Sequence, residues 1–381
     1  MIEGCSMKSY IYICNNFTGN KIHSEMILNL SRKYNDKMHY VFVPCSSKAV
    51  VGNNNIKADN VFIEYIYLNK YLRFFPFIKS LIVLFFVLRR AKLFKINWKD
   101  SVALSYTFWS DGVLCLYLYL IFGTSFSTFV RVTDISVFFK YGYHLRILFY
   151  FIANKSQYIY FPSIALKEEA GRYKFLKNNL EKSSFLPNPL NDYWINNIYR
   201  FDNLAISNKK ILFVGSFDSN KNILAVFKSG SILYEHRKDF KIEFIGGDEK
   251  DFKRICKIDV IPNWVSISNK IQKEELLLKY RSANILLVPS FLETFGMVYL
   301  EAISQGCIAV CSNNQGVDGL FKNDGILYSV NPNDSLEIFN TLNVLLDMEV
   351  KISSSDLRGI LIPFSSTNVV DFYSCFVAND S

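Results

Sequence analysis

"PSFLETFGMVYLEAISQGCIAV", residues 289–310, is the stretch from which the rest of this chain is read. The apolar run ILLVPS (285–290) leads into it. Phe295-Gly296-Met297 turns into a helix, Gly306 stands where that helix ends, and IAVCS (308–312) resumes as a strand. Strand, turn, helix and strand make the repeating unit of a parallel sheet. Ligands of such sheets sit beyond the carboxyl ends of the strands, so Glu293 and Glu301, eight positions apart, flank a turn on the ligand side. The free N–H groups of the first helical turn suit a phosphate. Gly296 has no Cβ to keep an anion from the backbone. Glu301, just inside the helix, is placed to accept hydrogen bonds from two vicinal hydroxyls such as those of a ribose, and Glu293, nearer the mouth, to hold a sugar.

Working outward, the second half alternates strands at 210–215, 241–247, 264–267, 285–290, 308–312 and 326–330 with helices such as 272–283. The first half alternates too. Strands are expected at 9–14, 39–45, 61–68, 101–106 and 126–132, and helices at 74–95 and near 111–122. Ile22, Met26, Ile27, Leu30 and Tyr34 fall on one helical face between the first two strands. Residues 185–210 are Asn-rich, carry two prolines and have no helical period, which marks a linker. The expected domains are 1–190, a linker at 191–208, 209–363, and a terminal segment 364–381.

Composition agrees with two cores. The chain has 381 residues, 50% hydrophobic and 20% charged, which excludes a disordered chain. Its net charge of +9 is uneven. Residues 1–190 hold 24 Lys+Arg against 11 Asp+Glu, and the remainder 19 against 23. The basic half suggests an anionic partner. No nucleic-acid motif accompanies it, so an anionic membrane surface is the candidate. No stretch reaches the roughly 18–20 apolar residues of a membrane span. The segment 74–95 comes nearest, interrupted by Pro76 and Lys79. It reads either as a buried core helix or as a helix in a membrane interface with Arg73, Lys79, Arg89, Arg90, Lys92 and Lys95 toward the headgroups. Eight scattered cysteines form no C-x2-C pair, which points to free thiols in a reducing compartment and not to zinc.

The frame PS-x-x-E-x-F-G-x-x-x-x-E-A-x-x-x-G at 289–306 resembles the signature of glycosyltransferase family 4. The resemblance extends over most of 210–330: ILFVGSFDSNKN looks like the family's donor-phosphate loop, with Gly215 and Lys221 in register, and GVDGLFKNDGILYSVNPND like its closing turn and strand. FSSTNVVDFYSCF (364–376) is similar to its final helix. The match is looser in the first half, through SYTFWSDG and VRVTDI. The resemblance implies an α/β fold of the GT-B type: two Rossmann-like, doubly wound domains facing a central cleft, with the C-terminal helix crossing back to the first. It also implies a retaining, metal-independent transfer from a nucleotide-sugar. Glu301 would bind ribose and Glu293 the transferred sugar. Phe295, Gly296 and Met297 would offer main-chain contacts, and Lys221 would neutralise the departing diphosphate. Gly215, Ser216 and Gly19 would line the donor site, with Ser216 standing where arginine is usual. Tyr106, Arg131 and Asp134 fall on the acceptor side, although Arg131 and Asp134 are equally readable as a structural ion pair. The members' usual histidine has no counterpart among His23, His39, His144 and His236. No cofactor is expected, and the absence of any D-x-D from the chain fits a transferase that needs no metal.

The expected activity is sugar transfer to a lipid-linked or saccharide acceptor in bacterial surface polysaccharide assembly (O-antigen, lipopolysaccharide or capsule). The expected place is the cytoplasmic, inner face of the plasma membrane. Two rivals stand beside it: a catalytically inactive partner subunit that keeps the fold, which Ser216 favours, and a soluble enzyme acting on a small molecule or protein.

Overall fold

The computed structural model describes residues 9–19, 21–199, 209–321, 324–348 and 354–378. Side chains of 73, 74, 354 and 374–378 are outside that description, Arg73 among them, as is the 200–208 part of the expected linker.

The chain divides into two compact units. The first takes residues 1–162, 167–189 and 366–381. Its sheet holds β1 (Ser9–Ile13), β2 (His39–Cys45), β3 (Val61–Tyr67), β4 (Ser101–Ser105), β5 (Ser125–Phe129), β6 (Ile159–Phe161) and β7 (Ser183–Phe185). They lie in the order β3-β2-β1-β4-β5-β6-β7, all parallel. Every residue of β1, β2 and β4 is buried. Parallel strands covered on both faces read as continuous apolar runs for this reason. Helix Ser366–Ala378 packs on helix Lys21–Lys33 within this unit. Val369, Val370 and Tyr373 enter the cluster around Tyr12, Ile27 and Tyr160.

The second unit, 163–166 and 190–365, has β8 (Lys209–Val214), β9 (Phe240–Ile245), β10 (Val265–Ser268), β11 (Ile285–Leu287), β12 (Ile308–Ser312) and β13 (Leu327–Val330). Their order is β10-β9-β8-β11-β12-β13, again all parallel. Both sheets therefore reverse direction beside their first strand, the Rossmann-like arrangement expected from the alternation.

Four elements differ from the sequence reading. β6 and β7, three residues each, are too short to show a period. Residues 134–139 form a π-type helical turn, a segment to which the sequence reading gave no element. Helix Asp192–Asn196 occupies the start of the expected linker and buries Trp194. Helix Pro76–Phe94 carries apolar side chains on both sides: Ser80, Val83, Val87 and Ala91 face inward, while Phe77, Ile78, Leu81, Phe85 and Leu93 are exposed. Among the described residues no helix is long and apolar enough to cross a membrane. The described cysteines Cys14, Cys45, Cys115, Cys256, Cys307 and Cys311 are buried free thiols.

Candidate active site

In the second unit the loops after β8 and β11 are stitched together by Asn220. Its side chain accepts from Leu292 N (2.9 Å) and donates to Leu292 O (3.0 Å), and its carbonyl accepts from Phe291 N (2.9 Å). Asp218 folds the first loop by accepting from the backbone of Asn220 (2.9 Å) and Lys221 (3.0 Å). Asn222, in the left-handed region, then opens helix Ile223–His236 and ties that turn to Pro289 O (3.1 Å) and Pro332 O (2.7 Å).

This stitching brings Lys221 to Glu293. The Lys221 Nζ lies 2.7 Å from Glu293 Oε2, with side chains 21% and 15% exposed. The stem of Lys221 runs 3.5 Å from where a Cβ on Gly215 would stand, which places it in van der Waals reach of that turn. Glu293 is fixed from its other end, its N–H donating to Gln315 Oε1 (3.0 Å) and its carbonyl accepting from Gly316 N (3.2 Å). Ser216 is exposed and donates to Asp218, so a carboxylate sits beside the position where arginine was expected.

Gly296 precedes helix Met297–Ser304 at φ +86°. The Phe295 ring is fully buried, which leaves its main chain as the available contact. Gly306 ends the helix at φ +92°, with Cys307 N donating to Ala302 O (3.1 Å), the glycine-based stop expected there.

Glu301 points into a recess formed with Trp194, Tyr280 and Lys273. Burial raises its carboxyl to about 7, against the pull of Lys273, Trp194 and Tyr280. Trp194 Nε1 and Tyr280 Oη are buried and close no hydrogen bond of their own. Neither residue carries a local sequence signal; they reach Glu301 only through the packing of 192–196 and 273–281. The consequence is a pH dependence of two opposite signs. In the folded chain Glu301 keeps a proton up to about pH 7 that the unfolded chain releases near 4.5. The fold therefore loses stability as pH rises between those values, by about 3 kcal/mol in all. Glu301→Gln is expected to melt higher than the parent at pH 8 and alike near pH 4.5, by calorimetry. Any ligand binding that needs the carboxylate is expected to strengthen as pH rises through about 7, and the variant to lose that dependence. A melting difference that does not change with pH would refute the assignment.

The remaining expected site residues belong to the first unit. Gly19 closes the turn after β1, its N–H donating to Asn16 O (3.2 Å). Tyr106 is 1% exposed and part of the core, stacked on Phe129 at 5.6 Å and edge-on to His23 at 4.6 Å. Burial also lowers His23 to about 3. Arg131 and Asp134 do not form the ion pair that was one reading of them. Asp134 accepts from the backbone N–H groups of Phe108 (3.0 Å), Trp109 (3.1 Å) and Arg131 (2.9 Å). Arg131 donates from Nε to Tyr106 O (3.0 Å) and lies over the Phe129 ring at 4.7 Å. A buried carboxylate finds more compensation in three fixed N–H groups than in one side chain.

Beside them the structure adds a group that sequence reasoning missed. Asn15, after β1, donates from its side chain to Asp111 and accepts from Lys79 Nζ (3.1 Å). The other Asp111 oxygen is buried and unpartnered, and burial raises the acid to about 6. Asn15 and Lys79 also line a cavity of about 400 Å³ with Thr18, Ser46 and Ser47. Lys79 had been read as an interruption of an apolar run and as one of the cations toward the headgroups, not as a partner of Asn15; an Asn at one strand end and an Asp at the end of the neighbouring strand was the available signal. Among the described residues no cluster of three His, Cys, Asp or Glu is placed to hold a metal ion.

Residues 197–358 match the family model described as "Glycosyl transferases group 1". The chain is 28% identical over 127 residues to an O-antigen chain mannosyltransferase B of Escherichia coli, covering 32% of this chain and 33% of that one. It is 28% identical over 113 residues to a D-inositol 3-phosphate glycosyltransferase of Paenarthrobacter aurescens, covering 28% of each. These matches span about a third of the curated relatives' length. Among solved structures, sucrose-phosphate synthase from Thermosynechococcus elongatus superposes with a TM-score of 0.72 at 14% identity, over 98% of this chain and 100% of that one. Anabaena HepE in complex with UDP superposes at 0.69 and 12% identity, over 97% and 100%. At such identities the likeness concerns the fold, which is that of the GT-B enzymes.

Proposed function

We propose, on the premise that residues 197–358 form a glycosyl transferases group 1 domain, that this chain is a retaining glycosyltransferase. It would move a sugar from a nucleoside-diphosphate donor to a lipid-linked or saccharide acceptor in surface polysaccharide assembly. The observation that carries the reading is the Lys221–Glu293 pair at 2.7 Å beside the Gly296 turn. Breaking a glycosyl–phosphate bond leaves negative charge on the diphosphate and positive charge on the sugar. A fixed ammonium and the N–H groups at Gly296 and Met297 meet the first, and the Glu293 carboxylate lies where it can meet the second. Glu301 accepts the ribose hydroxyls. This inventory answers the charge that develops without calling on a metal.

The acceptor is assigned to the first unit, on the strength of its basic, aromatic character. The surface-polysaccharide role is supported by the name of the Escherichia coli relative. Work at the inner face of the plasma membrane is supported by the exposed Ile78, Leu81 and Phe85 on helix Pro76–Phe94 and by Arg89 and Lys92 near its end. A partner subunit without activity is the second reading, favoured by Ser216 and by the Asp218 carboxylate in the phosphate loop.

A panel of nucleotide sugars, assayed for binding and slow hydrolysis, separates the two. The transferase reading expects one nucleotide to bind and its sugar to be released slowly. Failure of every nucleotide sugar to bind would leave the partner reading.

A further inference from the structure

The first unit carries a cavity that the donor and acceptor readings do not use. It measures about 450 Å³ and lies between helix Arg146–Lys155 and the segment 172–178, which contains the short helix Lys174–Lys177. Three rings, Tyr150, Tyr173 and Phe175, and three cations, Arg146, Arg172 and Lys174, wall it, and no carboxylate lines it. Among the described residues none of the three cations makes an ion pair closer than 4.0 Å, while eleven other such pairs are found. Lys140, Arg146 and Glu169 also act on the Tyr173 hydroxyl.

Converging like charges oppose folding, so their grouping calls for a counter-charge from outside. A phosphate supplies several acceptor oxygens at once, and two guanidinium groups with an ammonium are suited to it. One lip of the cavity is apolar. Tyr141, Tyr143, Ile147, Tyr150 and Phe151 are all exposed, Ile147 at 71%. Arg146 lies over the Tyr143 ring at 4.4 Å and Lys140 over Tyr141 at 5.3 Å. Rings and aliphatic side chains interleaved with cations are the composition of a surface that sits at the boundary between headgroups and acyl chains.

We propose that this cavity binds the phosphate of an anionic membrane lipid, with the Tyr141–Phe151 row resting in the bilayer interface. The charge complementarity and the continuity of the cavity with the apolar row select a lipid over a soluble phosphate. The inference rests on the reading that the protein works at an anionic membrane. It adds a defined headgroup site, separate in sequence from helix Pro76–Phe94.

The test is co-sedimentation of the full chain with phosphatidylcholine vesicles, with and without phosphatidylglycerol. The parent is expected on the phosphatidylglycerol vesicles alone. Arg146, Arg172 and Lys174 are exposed, so glutamine at each should leave the melting temperature unchanged. Each replacement is expected to weaken vesicle binding about fivefold, and all three together about a hundredfold. Arg89→Gln with Lys92→Gln is the comparison on the other helix. If that pair abolishes binding while the triple variant binds as the parent does, the headgroup site is wrong and the membrane reading stands. If the parent binds neither vesicle, both are wrong. Inorganic phosphate in the millimolar range should not release the parent from vesicles; release by phosphate would assign the cavity to a soluble anion and overturn the lipid.

Discussion

Lys221→Ala is expected to bind a nucleoside diphosphate about ten- to a hundredfold more weakly than the parent. A hydrogen bond to a charged partner contributes roughly 1.5–3 kcal/mol, which is one to two decades of affinity. Two effects add in this variant. The ammonium is lost, and the Glu293 carboxylate, 2.7 Å away and 15% exposed, is left without its partner in the path of an incoming phosphate. Glu293→Gln alone should keep most of the binding and mainly lower turnover. The double variant should bind better than Lys221→Ala, because the orphaned charge is gone. The coupling between the two changes, read by calorimetric titration, should fall in the range of about 0.5–3 kcal/mol found for contacting residues. Unchanged binding in Lys221→Ala would remove the loop after β8 from the donor altogether.

The second large effect belongs to Gly296→Ala. A Cβ at this position would stand 2.3 Å from Cε2 and 2.6 Å from Cδ2 of Tyr299. The ring cannot step aside, since Tyr299 is 1% exposed and its hydroxyl donates to Val288 O at 2.6 Å. The backbone at φ +86° adds the strain of a left-handed residue with a side chain. Strain and overpacking together cost about 2–5 kcal/mol, a fall in melting temperature of roughly 5–15 °C for a unit of this size. Donor binding should fall with it, because the N–H groups at 296 and 297 move. Gly359→Ala is the control. A Cβ there meets nothing within 4 Å, and the residue sits within helix Ser354–Leu361, so its melting temperature should hold or rise. Equal melting of parent and Gly296→Ala would mean that the turn relaxes freely and does not preorganise the site.

The Gly296 turn also marks how far the chain could be read before it was folded. Strand and helix order, the Gly306 stop and the ligand side of the second sheet were legible, because each depends on residues within one or two turns of each other. Residues 289–306 carried the frame whose family resemblance led to the GT-B fold. Short strands such as β6 escaped, three residues being fewer than any period needs.

By itself, then, the sequence determined the two β/α alternations, the E-x7-E pair on a strand-to-helix turn, and the basic first half. Tertiary structure alone decided the rest. Lys221 and Glu293 are 72 positions apart and meet because β8 and β11 are neighbours in the sheet. Glu301 rises to about 7 because the packed fold buries it, and Trp194 and Tyr280, which oppose that rise, reach it from 107 and 21 positions away in the chain. Asp134 turned from an ion-pair partner into a cap for three N–H groups once the loop after β4 folded over it. Arg146, Arg172 and Lys174 share a cavity because helix Arg146–Lys155 and the short helix Lys174–Lys177 pack together. In each case the charge is local and its partner is not: periodicity reports which face a side chain takes, and only the packed sheet reports what stands opposite.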